Sequence, residues 1–312
     1  MSTSRPIQYL RRQDIDLQKW DACIDRASNG LIYGRSFYLD HMTAGQWDAL
    51  VCEDYTAVMP LTWKSRAGIR YLYQPAFTQQ LGIFSASPSS PSLVENFLTR
   101  LNTHFRFAEI FLNYGNPHPS LQPRTNFILP LDKAYAALSG QYKKDLVKNL
   151  KLAARASFQY TPDLDLPTAL EGYKKQYQHR TPHVKEEAYT RFKQLCISLL
   201  PRGQVLIRTV TDHRQQPLAT ALLLRDTSPH RPMDRMHLLQ STVLPAGRQT
   251  EANHALLDHL IREFAAGPMI LDFEGSDLPG IAHFYRNFGA ADQPYFFYRL
   301  NRLPWPLRLF KN

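Results

Sequence analysis

Apolar positions along the chain follow two rhythms, and each appears twice. In the first part "LQKWDACIDRA" places Trp20, Cys23, Ile24 and Ala27 at helical spacing, and Asn29-Gly30 ends the run. "WDALVCED" and "YTAVMPLTW" predict strands joined at Glu53-Asp54, and the aromatic-rich "IRYLYQPAFTQQLGIFS" continues the sheet. A Ser/Pro loop then opens a helix with Leu93, Phe97, Leu98 and Leu101 on one side, before the strands "AEIFLNYG" and "TNFILPL". The second part repeats the order. Helices are predicted at 134–156, 167–179 and 184–200, strands at "QVLIRTVTD", "QPLATALLLRD" and "RMHLLQSTVLP", and a helix with Ala252, Ala255, Leu256, Leu260, Ile261 and Phe264 in a stripe. The strand "PMILDFEGS", the helix "GIAHFYRNFG" and a last strand "YFFYRLN" follow.

A meander followed by helix, strand, helix, strand, given twice, predicts an α+β protein of two similar domains with mixed central sheets flanked by helices. The chain of 312 residues is long enough for two. The boundary is placed at 140/141, with the basic segment 141–156 as a connecting helix.

Composition narrows the function less than the fold. Lys and Arg number 37 against 27 Asp and Glu, a net charge of +10, which favours anionic partners. Cys23, Cys52 and Cys196 are far apart and form no CxxC pair, so neither a zinc site nor a disulfide framework is expected, and a cytoplasmic, reduced protein is the simpler reading. No run of about 20 apolar residues occurs. Walker-type loops, GxGxxG, GxSxG and HExxH are missing, which argues against the enzyme classes they mark.

Four stretches carry candidate chemistry. The first is "ILDFEGSDLPG". Strand alternation puts Ile270, Asp272, Glu274 and Ser276 on one face, and Gly275 permits close backbone approach. Glu274 and Ser276 are the catalytic candidates, to position or deprotonate an amine; acids at a sheet edge paired with arginine explain the same letters. The second is "STVLPAGRQTEANHALL", where Arg248, Thr250 as helix cap and Asn253 offer a phosphate site, or an ordinary capped helix. The third is the stripe Lys144, Lys148, Lys151 and Arg155, opposite Leu146, Leu150 and Ala153. It suits a polyphosphate or RNA backbone, and equally a solvated face. The fourth is a cluster of aromatics and amides, Tyr73, Gln74, Phe77, Gln79 and Gln80, with Tyr33 nearby. It offers recognition of a polar organic ligand, or packing; Tyr285 joins the substrate-binding candidates. The tail, with Trp305, Leu307, Leu309 and Phe310 among cations, offers peripheral membrane contact or packing on the body.

The span 252–290, a helix leading into D-F-x-G and then a helix ending in F-G, resembles the second GNAT-like domain of the Fem-type transferases. "YKKDLVKNLKLAARASF" resembles the basic segment before that domain, and "LIYGRSFYLDHM" with "YLYQPAFTQQLGIF" looks like the amino-terminal GNAT-like domain of bacterial relatives. The resemblance implies a tandem GNAT fold and transfer of an acyl or aminoacyl group to an amine, in a cleft between domains. The implied donor is acyl-CoA or aminoacyl-tRNA, with no tightly bound cofactor, no metal and no DNA partner; Fem proteins take amino acids from charged tRNA for peptidoglycan precursors. A non-catalytic RNA- or envelope-associated binding protein that keeps the fold is the alternative. Two departures stand out. The GNAT pyrophosphate loop Q/R-x-x-G-x-G/A, started at Arg248, has Glu251 at its first glycine, where an acid repels a pyrophosphate. The helical-hairpin insertion of some Fem enzymes has no counterpart.

Overall fold

A computed structural model describes residues 6–162 and 164–305. The chain divides into two units. One takes residues up to Arg124, Ser228–Arg231 and those from Pro294 on; the other takes Thr125–Thr227 and Pro232–Gln293.

The first unit is built on β1 (Ile7–Leu10), β2 (Trp47–Cys52), β3 (Ala57–Arg66), β4 (Ile69–Tyr73), β5 (Phe84–Ser85), β6 (Phe107–Leu112) and β7 (Gln122–Arg124). The run β1-β2-β3-β4 is antiparallel, and β4 meets β6 in parallel. The helix Pro91–His104 connects toward β6, capped by Ser90, whose hydroxyl accepts from the Leu93 amide. It buries Val94, Phe97, Leu98 and Leu101 in a core with Leu50, Met59, Leu61, Leu72 and Ile110. Each such side chain, fully buried, contributes roughly 1.5–3 kcal/mol.

The second unit contains β8 (Phe127–Pro130), β9 (Gln159–Thr161), β10 (Val205–Thr211), β11 (Pro217–Asp226), β12 (Asp234–Val243), β13 (Met269–Asp272) and β14 (Ala291–Asp292), ordered β14-β8-β13-β12-β11-β10-β9. Here too an antiparallel run, β9-β10-β11-β12, ends in a parallel pair, β12 with β13. The helix Ala252–Phe264 makes that crossover and packs Leu256, Leu257, Leu260 and Ile261 on Leu223, Met236, Leu238 and Leu271.

The last strand, β15 (Tyr295–Asn301), pairs with β6 and β7, so it completes the first sheet. The observed division therefore differs from the expected boundary at 140/141 in two places. Residues 125–140 join the second unit because β8 pairs with β13, and the end of the chain belongs to the first. Neither pairing is local, so no sequence window reveals it. The segment expected as one helix over 134–156 is two, Tyr135–Ser139 and Lys144–Ala153, separated at Gly140.

The three cysteines are buried free thiols, and burial pushes Cys23 up to about 11, which fits packing rather than reactivity. No helix among the described residues is long and apolar enough to cross a membrane. Trp305 is exposed; Leu307, Leu309 and Phe310 lie outside the described residues.

Candidate functional site

The parallel pairing of β12 with β13 sets His237 beside Asp272. Just beyond, the chain leaves the sheet. Strand alternation stops at Asp272: Phe273 turns under the surface and stacks on Tyr285 at 4.6 Å, and Glu274 takes a left-handed conformation with φ of 55°. A left-handed non-glycine residue costs of order 1 kcal/mol, and such strain collects at functional sites. Gly275 follows because nothing larger fits: an added Cβ would lie 2.2 Å from the Thr125 carbonyl oxygen and 2.4 Å from the Asn126 Cα. Gly275→Ala is therefore expected to cost about 2–4 kcal/mol in urea denaturation, by overpacking against backbone that cannot yield.

The turn delivers the Glu274 carboxylate to His237. Their Oε1 and Nδ1 atoms are 2.6 Å apart, and because a carboxylate accepts, Nδ1 carries the proton and donates. Asp272 lies behind this pair, fully buried, with Oδ2 at 3.8 Å from His237 Nδ1. Its charge is met by the Arg235 guanidinium at 2.7 Å, the Asn126 side-chain amide at 3.0 Å and the Glu274 backbone N–H at 3.0 Å. Arg235 also donates to Gln293 at 2.9 Å. The Asp272 carboxylate thus fixes the turn from inside, while Glu274 keeps 13% of its side chain exposed. Ligand atoms of His237, Asp272 and Glu274 lie within 4.8 Å of one another, a span that could hold a metal. A guanidinium already in contact with Asp272 would stand beside any divalent ion there, which makes the trio a poor cation site.

Glu274 lines a hollow of about 580 Å³, all of whose lining residues belong to the second unit. One wall is aromatic. Tyr173 and Tyr177, one turn apart on the helix Leu166–Tyr177, approach each other at 5.3 Å between ring centroids, with Phe273, Phe284 and Tyr285 also on the lining. Burial raises Tyr285 well above the ordinary tyrosine range, with the nearby Glu274 charge adding to it, so its hydroxyl stays protonated as a donor. Tyr173 is likewise pushed up to about 12 by burial. Another part of the wall is β12, where a bulge pairs Leu222 with Gln240 and Leu223 with Leu238, leaving Leu239 as the extra residue facing the hollow.

The far end is the start of the helix Ala252–Phe264. Gly247 in the preceding short helix, Pro245–Gln249, packs so tightly that a Cβ would meet the Leu218 carbonyl oxygen at 2.2 Å. Arg248 is exposed at this end, and Asn253 accepts from the Ser241 hydroxyl at 3.1 Å. His254 rests edge-on against Phe284, and burial lowers its pKa.

Of the residues expected from sequence, the hollow brings together Glu274, Arg248, Asn253 and Tyr285. The others are placed elsewhere. The Ser276 hydroxyl accepts from the Leu278 amide in the turn ahead of the helix Pro279–Arg286 and does not line the hollow, since strand alternation has already ended. Thr250 is not the cap: its hydroxyl donates back to the Ala246 carbonyl at 3.0 Å, and Glu251 holds the N-cap position without a side-chain cap. Lys144 and Lys148 are exposed on the helix Lys144–Ala153 and do not line the hollow. The amide cluster lies in the first unit and does not line the hollow. Gln80 is buried and accepts from the Tyr114 amide, and Gln74 accepts from the Phe111 amide while donating to the Thr78 carbonyl. Gln79 accepts from the Gln80 side-chain amide, Tyr33 is fully buried, and Tyr73 lies under the Lys64 ammonium. Residues the spacing did not single out are His237, Tyr173 and Tyr177. A histidine inside the apolar strand "RMHLLQSTVLP" reads as core until β12 is set beside β13.

Residues 141–285, which contain this hollow, match the family model described as "Acetyltransferase (GNAT) domain". No curated protein sequence matches the chain. Among solved structures, that of FemX superposes with a TM-score of 0.63 at 14% identity, covering 97% of this chain and 99% of that one. The structure of L-PGS from Bacillus licheniformis gives a TM-score of 0.52 at 10% identity, over 95% of each chain. At such identities the likeness is one of fold, and it extends over nearly the whole chain.

Proposed function

We propose that this chain, a Fem-type tandem GNAT protein by fold, is an N-acyltransferase that passes an acyl or aminoacyl group from a phosphate-bearing donor to an amine. The observation that carries the reading is the Glu274 carboxylate, held by His237 and presented to the hollow of the GNAT-matched unit. Proton abstraction needs a base within hydrogen-bond reach of the proton it takes, and the Glu274 carboxylate, whose Oε1 accepts from His237, stands on the lining of the hollow where an amine would arrive.

The neutral amine enters along the aromatic wall and loses a proton to the Glu274 carboxylate. Its lone pair attacks the donor carbonyl, and the oxygen of the tetrahedral intermediate is met by the Tyr285 hydroxyl or by backbone at the Leu239 bulge. Collapse expels the donor's alcohol or thiol, which takes the proton back from Glu274, leaving an amide. His237 is a positioning residue in this scheme, and Asp272 with Arg235 holds the turn that places Glu274.

The test is an assay of the purified chain with acyl-CoA thioesters or aminoacyl-tRNA as donors and mixed primary amines as acceptors, read by mass spectrometry. The reading expects an N-acylated amine from at least one donor class. Steep salt-dependent RNA binding with no amide product from either class would favour a binding protein that keeps the fold.

A further inference from the structure

The start of the helix Ala252–Phe264 carries an acid in a backbone conformation suited to glycine. Glu251 has φ of 56°, and its carboxylate does not cap the helix but lies 2.8 Å from His254 Nδ1. Asn149 reaches the other ring nitrogen of His254 at 3.3 Å, and Phe284 packs on the ring, so the group facing Glu251 is fixed from two sides. Both glutamates of the hollow's lining, Glu251 and Glu274, are left-handed. At Glu274 the strain delivers a carboxylate toward the reacting end. At Glu251 it keeps a carboxylate beside the first turn, in the place where unpaired helix amides would otherwise attract an anion.

We infer that Glu251 is a specificity-determining residue: it closes this end of the hollow to donors that carry a diphosphate, and admits donors whose carrier brings no diphosphate to the helix start. The inference rests on reading the hollow as the donor site. Charge sets its direction. A diphosphate seated on the first-turn amides would stand beside the Glu251 carboxylate, and repulsion between like charges a few ångströms apart near a protein surface is worth roughly tenfold or more in affinity. Arg248, exposed at the same end, stays available to a phosphate lying further out.

Coenzyme A itself is the probe, titrated by calorimetry into the wild type, Glu251→Gly and Glu251→Gln. Glycine suits the left-handed position, so the first variant folds without strain, and glutamine keeps the size of the side chain while removing its charge. The expected result is no saturable binding by the wild type at millimolar coenzyme A and at least tenfold tighter binding by both variants, reversed by inorganic pyrophosphate. Wild-type binding as tight as that of Glu251→Gly overturns the inference. So does an absence of binding by both variants with unchanged far-UV circular dichroism. The measurement needs no turnover, so it separates from failure of the acyl-transfer reading, which the product assay reports.

Discussion

Glu274→Gln is expected to lower turnover by about 10²–10⁴-fold, the usual share of a positioned general base, while leaving the melting temperature within a few degrees of the wild type. The amide is isosteric with the carboxylate and accepts the same hydrogen bond from His237 Nδ1 through its oxygen, so the turn keeps its shape and only the base is lost. Steady-state kinetics on the donor and acceptor found by the product assay check it. The effect belongs in kcat; a change confined to KM would mean that Glu274 binds the amine without taking its proton.

The largest effect on stability is expected at Arg235. Arg235→Met removes the guanidinium from a carboxylate with no solvent exposure, and breaking a buried pair from one side typically costs about 3–5 kcal/mol. Chemical denaturation measures it. Asp272 would still be held by Asn126 and by the Glu274 amide, but its charge would be uncompensated. Adding Asp272→Asn to Arg235→Met should recover a large part of the loss, because the doubly changed site buries no charge. If the double variant is no more stable than the single one, the cost comes from lost packing of the arginine stem instead.

The two rhythms of apolar residues made most of the fold legible, because each long helix buries one stripe: Trp20, Cys23 and Ile24 in the first unit, Leu256, Leu260 and Ile261 in the second. The helix Ser36–Thr43 was not legible, since its buried side mixes Ser36 and Thr43 with Tyr38, Leu39 and Met42, and its partly exposed side mixes Phe37 with Asp40 and His41, so polarity does not mark the period. Long-range pairing was the other blind spot. That β8 runs beside β13, and that Thr125 and Asn126 therefore crowd Gly275, depends on residues about 150 positions apart.

The site was half legible. Glu274 stood out as an acid where a strand turns, and Arg248, Asn253 and Tyr285 lie around the same hollow. His237 was hidden because an isolated histidine in an apolar strand carries no signal until its neighbour strand is known. Tyr173 and Tyr177 share a helix face, which reads as packing in a single helix and becomes a wall once that face lies along β12. Conversely, Gln74, Gln79 and Gln80 looked like recognition groups because amides beside aromatics suit both a ligand and a buried turn. The structure commits Gln74 and Gln80 to backbone amides of the β6 region.

Chemical rescue tests the assignment of Glu274 most directly. Glu274→Gly suits the left-handed backbone, keeps the turn and leaves room where the carboxylate stood. Turnover should fall as far as in Glu274→Gln and then rise with added formate in a saturable way, as a small carboxylate enters and takes the proton in place of the side chain. A Glu274→Gly protein that turns over at the wild-type rate without formate, or one that binds both substrates normally and gains nothing from it, would contradict the account.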